Sequence, residues 1–388
     1  MTWGPVLDLY PNRGLRFVRG DGAYLEASDG RRYLDLMTNY GVSIFGYRHE
    51  AIEAALSAQL HALPSLHGSF GSDLRVKASL ALARRLPMDA PAICWSNSGA
   101  EAIEAAVKFA AVATGRKRFV ACRGGYHGKT LGALSATDAP KYRAPFEPLL
   151  WDFVHVPYGD AAALRSAIDR ETAAIVLEPI QGEAGILVPP PGYLREVRRL
   201  TTEAGVLLVV DEIQSGCGRT GRFLALDREG VSPDIVCLGK GLAGGVPVGA
   251  TAVTREVAAS IPRGVHTSTF GGNPLACAGA VAVLNLLSDE LLGQVAALGD
   301  HFMARLREAA PSAATVRGAG LMVGVQVGAC RDEVLKGLQR EGILAIPAGD
   351  DVVRFLPPYI VRPEQLDAAA EAFGRVAASK AGAGAGAA

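Results

Sequence analysis

The chain has 388 residues, long enough for one large α/β domain and a smaller one. Lysine plus arginine equals aspartate plus glutamate, 39 each, so no net field draws the chain to nucleic acid or an anionic membrane. The 46 glycines and 49% apolar content suit an enzyme with many tight turns and argue against disorder. Six scattered cysteines (Cys94, Cys122, Cys217, Cys237, Cys277, Cys330) form no CxxC pair, which gives no metal-ligand spacing and fits a reducing cytoplasm. The start, MTWGPVLDLYPNRG, lacks the basic-then-apolar order of a signal peptide, and no apolar run approaches the roughly 20 residues of a membrane helix. The expectation is a soluble, cytoplasmic protein without metal, nucleic-acid or membrane partners.

Residues 1–45 alternate short extended pieces with turns, two of them Asp-Gly pairs flanking AYLEAS. Helices are predicted over 49–62 and 72–86, the second capped by Ser72 or Asp73. AICW then runs through SNSGAE into an alanine-rich helix from about Ala100 to Gly115. Free N–H groups and the positive helix end make that turn a phosphate site, and Gly99 allows close backbone approach. Such turns occur in many α/β proteins, and this one has neither Walker nor GxGxxG spacing. KRFVACRGGYHGKT (117–130) repeats the strand-then-turn pattern and places Tyr126 and His127 at the crevice. Tyr126 reads equally well as a ring stacked on a flat ligand or as core packing. The tract 137–160, rich in proline and aromatics, reads as a long surface excursion.

AAIVLEPIQGEAG (173–185) is a buried strand with a polar end carrying Glu178, Gln181 and Glu183; a helix at about 192–204 follows. VLLVVDEIQ (206–214) and DIVCLGKG (234–241) are two more such runs. Strand–helix alternation over about 90–250 argues for a mainly parallel sheet with helices on both faces, whose ligands bind at the strands' carboxyl ends. Asp211 and Lys240 stand at such ends. A lysine there can bond to an aldehyde cofactor while an acid keeps a pyridine nitrogen protonated. The competing reading is a salt bridge at the sheet's rim. HTSTFGGNPLACAGAVAVLNLL (266–287) is a turn entering an apolar helix, and from about 290 helices alternate with hairpin-like strands. The terminal KAGAGAGAA reads as an unstructured tail.

SNSGAEA, GYHGKT, LEPIQGEAG, VVDEIQSGCGRTG, GKGLAGG and STFGGNPLA stand in this order along the chain. Over about residues 10–375 the chain resembles the class III aminotransferases, pyridoxal 5'-phosphate (PLP) enzymes of fold type I, in the acetylornithine/ornithine branch. It is similar to members of that branch acting on lysine held by an amino-group carrier protein. The resemblance implies a large domain with a mainly parallel, seven-stranded-type sheet flanked by helices. It also implies a small α+β domain from the N- and C-terminal segments, with boundaries at 1–48 (N-terminal arm), 49–285 (PLP-binding), 286–376 (C-terminal small domain) and 377–388 (tail).

By the same resemblance, Lys240 is the lysine that bonds PLP and shuttles the proton, and Asp211 the acid on the pyridine nitrogen. Ser98, Gly99, Ala100, Tyr126, His127, Glu178, Ile213 and Gln214 are further cofactor contacts, joined by Thr269 reaching across a homodimer with shared sites. Ala100 stands where the family often has threonine, removing one hydroxyl from the phosphate turn. Tyr40, Lys129, Glu183, Ser268 and Arg354 are substrate residues, Glu183 pairing with Arg354 when no substrate carboxylate is present. The implied reaction moves the terminal amine of an N-acylated or carrier-bound ornithine- or lysine-type donor to 2-oxoglutarate, as in arginine or lysine biosynthesis. One departure stands out: the branch usually reads FxGRT, whereas this chain has YHGKT. Lysine keeps the charge of arginine but not its two-pronged fork, which points to a changed donor. The alternatives are an aminomutase or racemase of the same fold, an ω-aminotransferase for a secondary-metabolite diamine, and an inactive PLP-binding scaffold.

Overall fold

The computed structural model describes residues 5–384. Its centre is a seven-stranded sheet in the order Ala92–Ser96, Gly249–Val253, Ile235–Leu238, Leu207–Asp211, Thr172–Leu177, Arg118–Cys122, Asp152–Val156. The apolar runs read from the sequence form its middle, and every residue of Thr172–Leu177 and Ile235–Leu238 is buried. All neighbours pair in parallel except Gly249–Val253, which is antiparallel to both of its partners. The cause is the short connection 239–248: a parallel return needs a crossover of about a dozen residues or more, so the chain doubles back instead. The tract 137–160 is not wholly a surface excursion, since Asp152–Val156 inside it forms the edge strand beside Arg118–Cys122.

Helices cover both faces. Gly99–Thr114 buries Ala102, Ile103, Ala105, Ala106, Val107, Phe109 and Ala110, and its small side chains let it lie close against the sheet. Its start is capped by Ser98, whose hydroxyl accepts from Glu101 N at 3.2 Å, and Gly115 ends it in a left-handed conformation. The opposite face packs Leu194, Val197 and Leu200 of Tyr193–Ala204 into the larger core.

Two smaller sheets flank this layer. Phe17–Asp21, Tyr24–Ala27 and Arg32–Asp35 form an antiparallel meander, extended by Ile343–Leu344 pairing in parallel with Arg32–Asp35. Thr315–Ala319, Met322–Gln326, Val352–Phe355 and Ile346–Ala348 form an antiparallel sheet backed by the helix Asp289–Ala309. Arg219 ties this sheet to the loop after Leu207–Asp211. It is fully buried, donates to the carbonyls of Leu321 (3.0 Å) and Pro357 (2.5 Å), and lies 5.0 Å from the Tyr359 ring centroid.

The last helix, Pro363–Gly384, corrects the expectation of an unstructured tail from 377. Val376 and Ala377 are buried against the core, which holds the helix past the expected boundary. The remainder of the expected tail, 385–388, lies outside the described residues. No single helix among the described residues is long and apolar enough to cross a membrane.

Candidate active site

The carboxyl ends of four parallel strands converge on one cavity of about 500 Å³. Leu207–Asp211 delivers Asp211, Thr172–Leu177 leads to Glu178, and Arg118–Cys122 leads to Tyr126 and His127. Lys240 follows Ile235–Leu238 by two residues and opens a single 3-10 turn with its backbone left-handed (φ +45°). Gly99, Ala100, Gly128, Lys129, Thr130, Glu183, Ile213 and Gln214 complete this group of lining residues.

Asp211 is buried and fixed on both oxygens. Oδ2 is 2.8 Å from His127 Nδ1, and Oδ1 accepts from the Ile213 N–H at 3.0 Å. Burial pulls the His127 pKa down, but its hydrogen bond to Asp211 and the charges of Asp211 and Glu178 outweigh that and raise it. Glu178 sits beside this pair, its carboxyl pushed up to about 7 by burial against the His127 charge and two accepted N–H bonds. Those bonds come from Tyr126 (2.9 Å) and Gly182 (3.0 Å). The Lys240 amine is held below its ordinary value by burial, which outweighs the opposing charges of Asp211 and Glu183. A buried amine that holds its proton less tightly than usual, facing a carboxylate, can act as a nucleophile or as a proton carrier.

At the helix entrance, Gly99 sits where a Cβ would come within 2.7 Å of Ile213 Cγ2. The backbone of the first turn therefore lies flush with the cavity wall, with helix N–H groups directed outward as an anion site. Amine, supported acid, ring-sized cavity and anion-binding turn together match the aldehyde, pyridine nitrogen, ring and phosphate of PLP. The residues present fit that group.

A second constellation adjoins the first. Arg354, fully buried on Val352–Phe355, donates to Glu183 Oε1 at 2.7 Å, to Gln214 Oε1 at 3.0 Å and to the Pro347 carbonyl at 3.2 Å. Gln214 reaches it because residue 182 is glycine, whose added Cβ would lie 2.3 Å from that same oxygen. The guanidinium carbon lies 5.5 Å from the Tyr40 ring centroid. Tyr40 lines a neighbouring cavity of about 460 Å³ that shares Tyr126 and Glu183 with the first. Lys129 is exposed at the mouth, its Nζ 4.0 Å from the Tyr142 ring centroid.

Within the single chain, five expected residues are not among those lining the first cavity: Tyr40 and Arg354, which belong to the second constellation, and Ser98, Ser268 and Thr269. Ser98 acts as a helix cap, Ser268 Oγ accepts from Asn97 Nδ2 (3.3 Å) and Gly271 N (3.0 Å), and Thr269 is exposed. Sequence reasoning missed Tyr142, hidden in the supposed excursion, and a left-handed turn at 38–40. Thr38, Asn39 and Tyr40 have φ of 44°, 51° and 58°, a conformation costing about 1–2 kcal/mol per residue without glycine. Only Asn39, a residue type that tolerates this region, and Gly41 just after it (φ +90°) mark the turn, too little to place it from sequence.

The family model for class-III aminotransferases matches residues 10–377. The chain belongs to the class-III aminotransferases. This aminotransferase is 45% identical over 368 residues to the acetylornithine aminotransferase of Methanopyrus kandleri, covering 94% of each chain. It is 41% identical over 360 residues to a Pyrococcus abyssi relative provisionally named a LysW-aminoadipate semialdehyde/glutamate semialdehyde transaminase, covering 93% of this chain and 95% of that one. Among solved structures it resembles an ornithine aminotransferase of Toxoplasma gondii, with a TM-score of 0.91, 34% identity, and coverage of 97% of this chain and 92% of the other. That structure holds PLP at partial occupancy in its active site. The chain is thus a PLP-dependent transaminase of the acetylornithine-aminotransferase type, with the mixed α/β fold of fold type I.

Proposed function

We propose that this aminotransferase carries the terminal amine of an N-acylated or carrier-bound ornithine- or lysine-type donor to 2-oxoglutarate, giving a semialdehyde and glutamate. The observation that carries this reading is the Arg354–Glu183 pair at 2.7 Å beside Lys240. A site serving two donors must neutralise Arg354 when the reacting carbon bears no carboxylate and free it when glutamate enters. Glu183, its side chain 29% exposed against 0% for Arg354, is the partner placed to swing away. The names of the Methanopyrus and Pyrococcus relatives support the donor class.

PLP, when bound, supplies an electrophilic carbon for the donor amine and a ring that accepts the electrons of the broken C–H bond. Lys240 is the residue that would hold it. The Lys240 Nζ, whose hold on a proton burial weakens, would remove the proton from the carbon bearing the amine and return it on the other side of the transfer. Asp211, oriented by His127 and the Ile213 N–H, holds the proton of the ring nitrogen. Gly99 and Ala100 offer N–H groups to the phosphate, and Tyr126 offers its ring as one wall. Lys129 supplies a point charge at the far end of the donor. Thr269, exposed on its own chain, suits a phosphate contact in the partner site of a homodimer, with Ser268 beside it. Six free thiols support work in a reducing cytoplasm.

The test is a half-reaction. PLP-loaded enzyme is mixed, without any oxo acid, with N-acetylornithine, ornithine, an N-acylated lysine, 4-aminobutyrate and glutamate in turn. Loss of the yellow colour with glutamate and with an N-blocked diamine supports the proposal. Colour retained with every donor would replace it with an isomerase.

A further inference from the structure

The left-handed turn at Thr38–Tyr40 is strained, and Tyr40 at its end is 42% exposed, so burial of its ring does not account for the conformation. Such strain persists only where neighbours over-determine the backbone, and it gathers at functional sites. The neighbours here are specific. Asp35, 1% exposed, accepts the N–H groups of Met37 and Thr38 on Oδ1, each at 3.0 Å. Its Oδ2 accepts the Tyr47 hydroxyl at 2.6 Å. Thr38, buried, donates its hydroxyl to the Leu356 carbonyl at 2.7 Å, and the Leu356 N–H returns to Leu36 O at 2.6 Å. The turn is thereby pinned to the segment that follows Arg354, and its Tyr40 ring lies 5.5 Å from the Arg354 guanidinium carbon.

We propose that Asp35 is a positioning residue for substrate selection: through the left-handed turn it holds the Tyr40 ring against Arg354, fixing the guanidinium for a substrate carboxylate when Glu183 leaves. The inference rests on the reading of Arg354 as the carboxylate reader. Without the Asp35 carboxylate the three residues relax toward ordinary right-handed backbone and the ring departs. Arg354 then keeps its charge but loses the aromatic face that restrains its plane.

The test is calorimetric titration of PLP-loaded enzyme with glutarate, a dicarboxylate without an amine to react. Asp35→Ala and Tyr40→Ala should each weaken glutarate about three- to fivefold, the scale of one cation–π contact. The double variant should bind no more weakly than Tyr40→Ala alone, because Asp35 acts only through that ring. Asp35→Asn should bind like wild type, since its amide oxygen accepts the same two N–H groups and its nitrogen donates to Tyr47. If Asp35→Ala does not fold, Tyr47→Phe carries the same test, and its loss must again vanish in the Tyr40→Ala background. Wild-type affinity in Asp35→Ala, or losses that multiply in the double variant, would overturn the positioning role. Arg354→Ala is run alongside: if it loses glutarate while Asp35→Ala does not, only the positioning role fails. If Arg354→Ala binds normally, the reading of Arg354 fails and the positioning role with it.

Discussion

Arg354→Met separates the carboxylate-reading role proposed for Arg354 from the chemistry. Methionine keeps much of the stem and removes the guanidinium, with its bonds to Glu183, Gln214 and the Pro347 carbonyl. The stability change is a balance. A buried charge no longer needs desolvating, while Gln214 Oε1 loses its donor, at about 1–3 kcal/mol for an unsatisfied buried acceptor. Glu183 is 29% exposed and rehydrates. The fold should therefore survive, with a net change of about 2 kcal/mol or less. Function should split. A charge-assisted bond to the glutamate carboxylate is worth about 1.5–3 kcal/mol, so kcat/KM for the glutamate half-reaction should fall about 10- to 150-fold. A diamine donor carries no carboxylate on its reacting carbon and should change by less than about threefold. Stopped-flow loss of the yellow colour measures both halves on one preparation. An equal fall in both would refute the assignment of Arg354 and leave it a structural residue.

Lys129→Ala should do the converse, raising KM for the N-acylated diamine by about tenfold or more through one lost charged contact while leaving the glutamate half-reaction unaltered; steady-state kinetics with each donor decides it. Gly99→Ala drives a methyl to within 2.7 Å of Ile213 Cγ2 and should weaken PLP retention in equilibrium dialysis, with Ile213→Ala restoring part of it; retention unchanged in Gly99→Ala would remove this turn from the phosphate site. Glu212, buried and bonded to Ser215 and to the Leu226 N–H, has its carboxyl pushed up from the ordinary 4.5 to about 7 by burial. The folded state thus keeps this proton through a window in which the unfolded chain releases it. The group's stability is fully present below about pH 4.5 and is lost as pH rises through about 7, to about 3 kcal/mol. Glu212→Gln keeps an acceptor for Leu226 and a donor for Ser215, so its urea midpoint should match wild type near about pH 4.5 and exceed it at about pH 8. A difference independent of pH would contradict this account.

The centre of this molecule was legible because burial on both faces leaves a plain mark. VLLVV and IVCL are uninterrupted apolar runs, and each is followed within two residues by a charged group that lines the cavity. The edges were harder. Asp152–Val156 is mostly half-exposed, so its pattern does not stand out from proline-rich flanks. Gly249–Val253 is built of small residues and owes its direction to the length of a loop, which no side chain announces. Arg354 was singled out by resemblance, yet its bond to Gln214 depends on the bare backbone at Gly182, a steric fact visible only in three dimensions. The turn at 38–40 is held by tertiary hydrogen bonds against local preference, so reading local preference had to miss it.

The pairing of Ile343–Leu344 with Arg32–Asp35 also bears on how the protein is made. Gln339 likewise bonds to Arg13, 326 residues earlier in the chain. During synthesis the N-terminal meander emerges first and waits with one edge unpaired until nearly the whole polypeptide has left the ribosome. The strand bearing Asp211 and the one leading to Lys240 have neighbours close in sequence and can pair early, whereas Tyr40 and Arg354 meet only when the two ends of the chain are joined. Contacts of such sequence separation are slow to form and leave aggregation-prone edges exposed meanwhile. A nascent chain stopped near residue 340 would carry Lys240 and Asp211 but not the Arg354 that faces Tyr40.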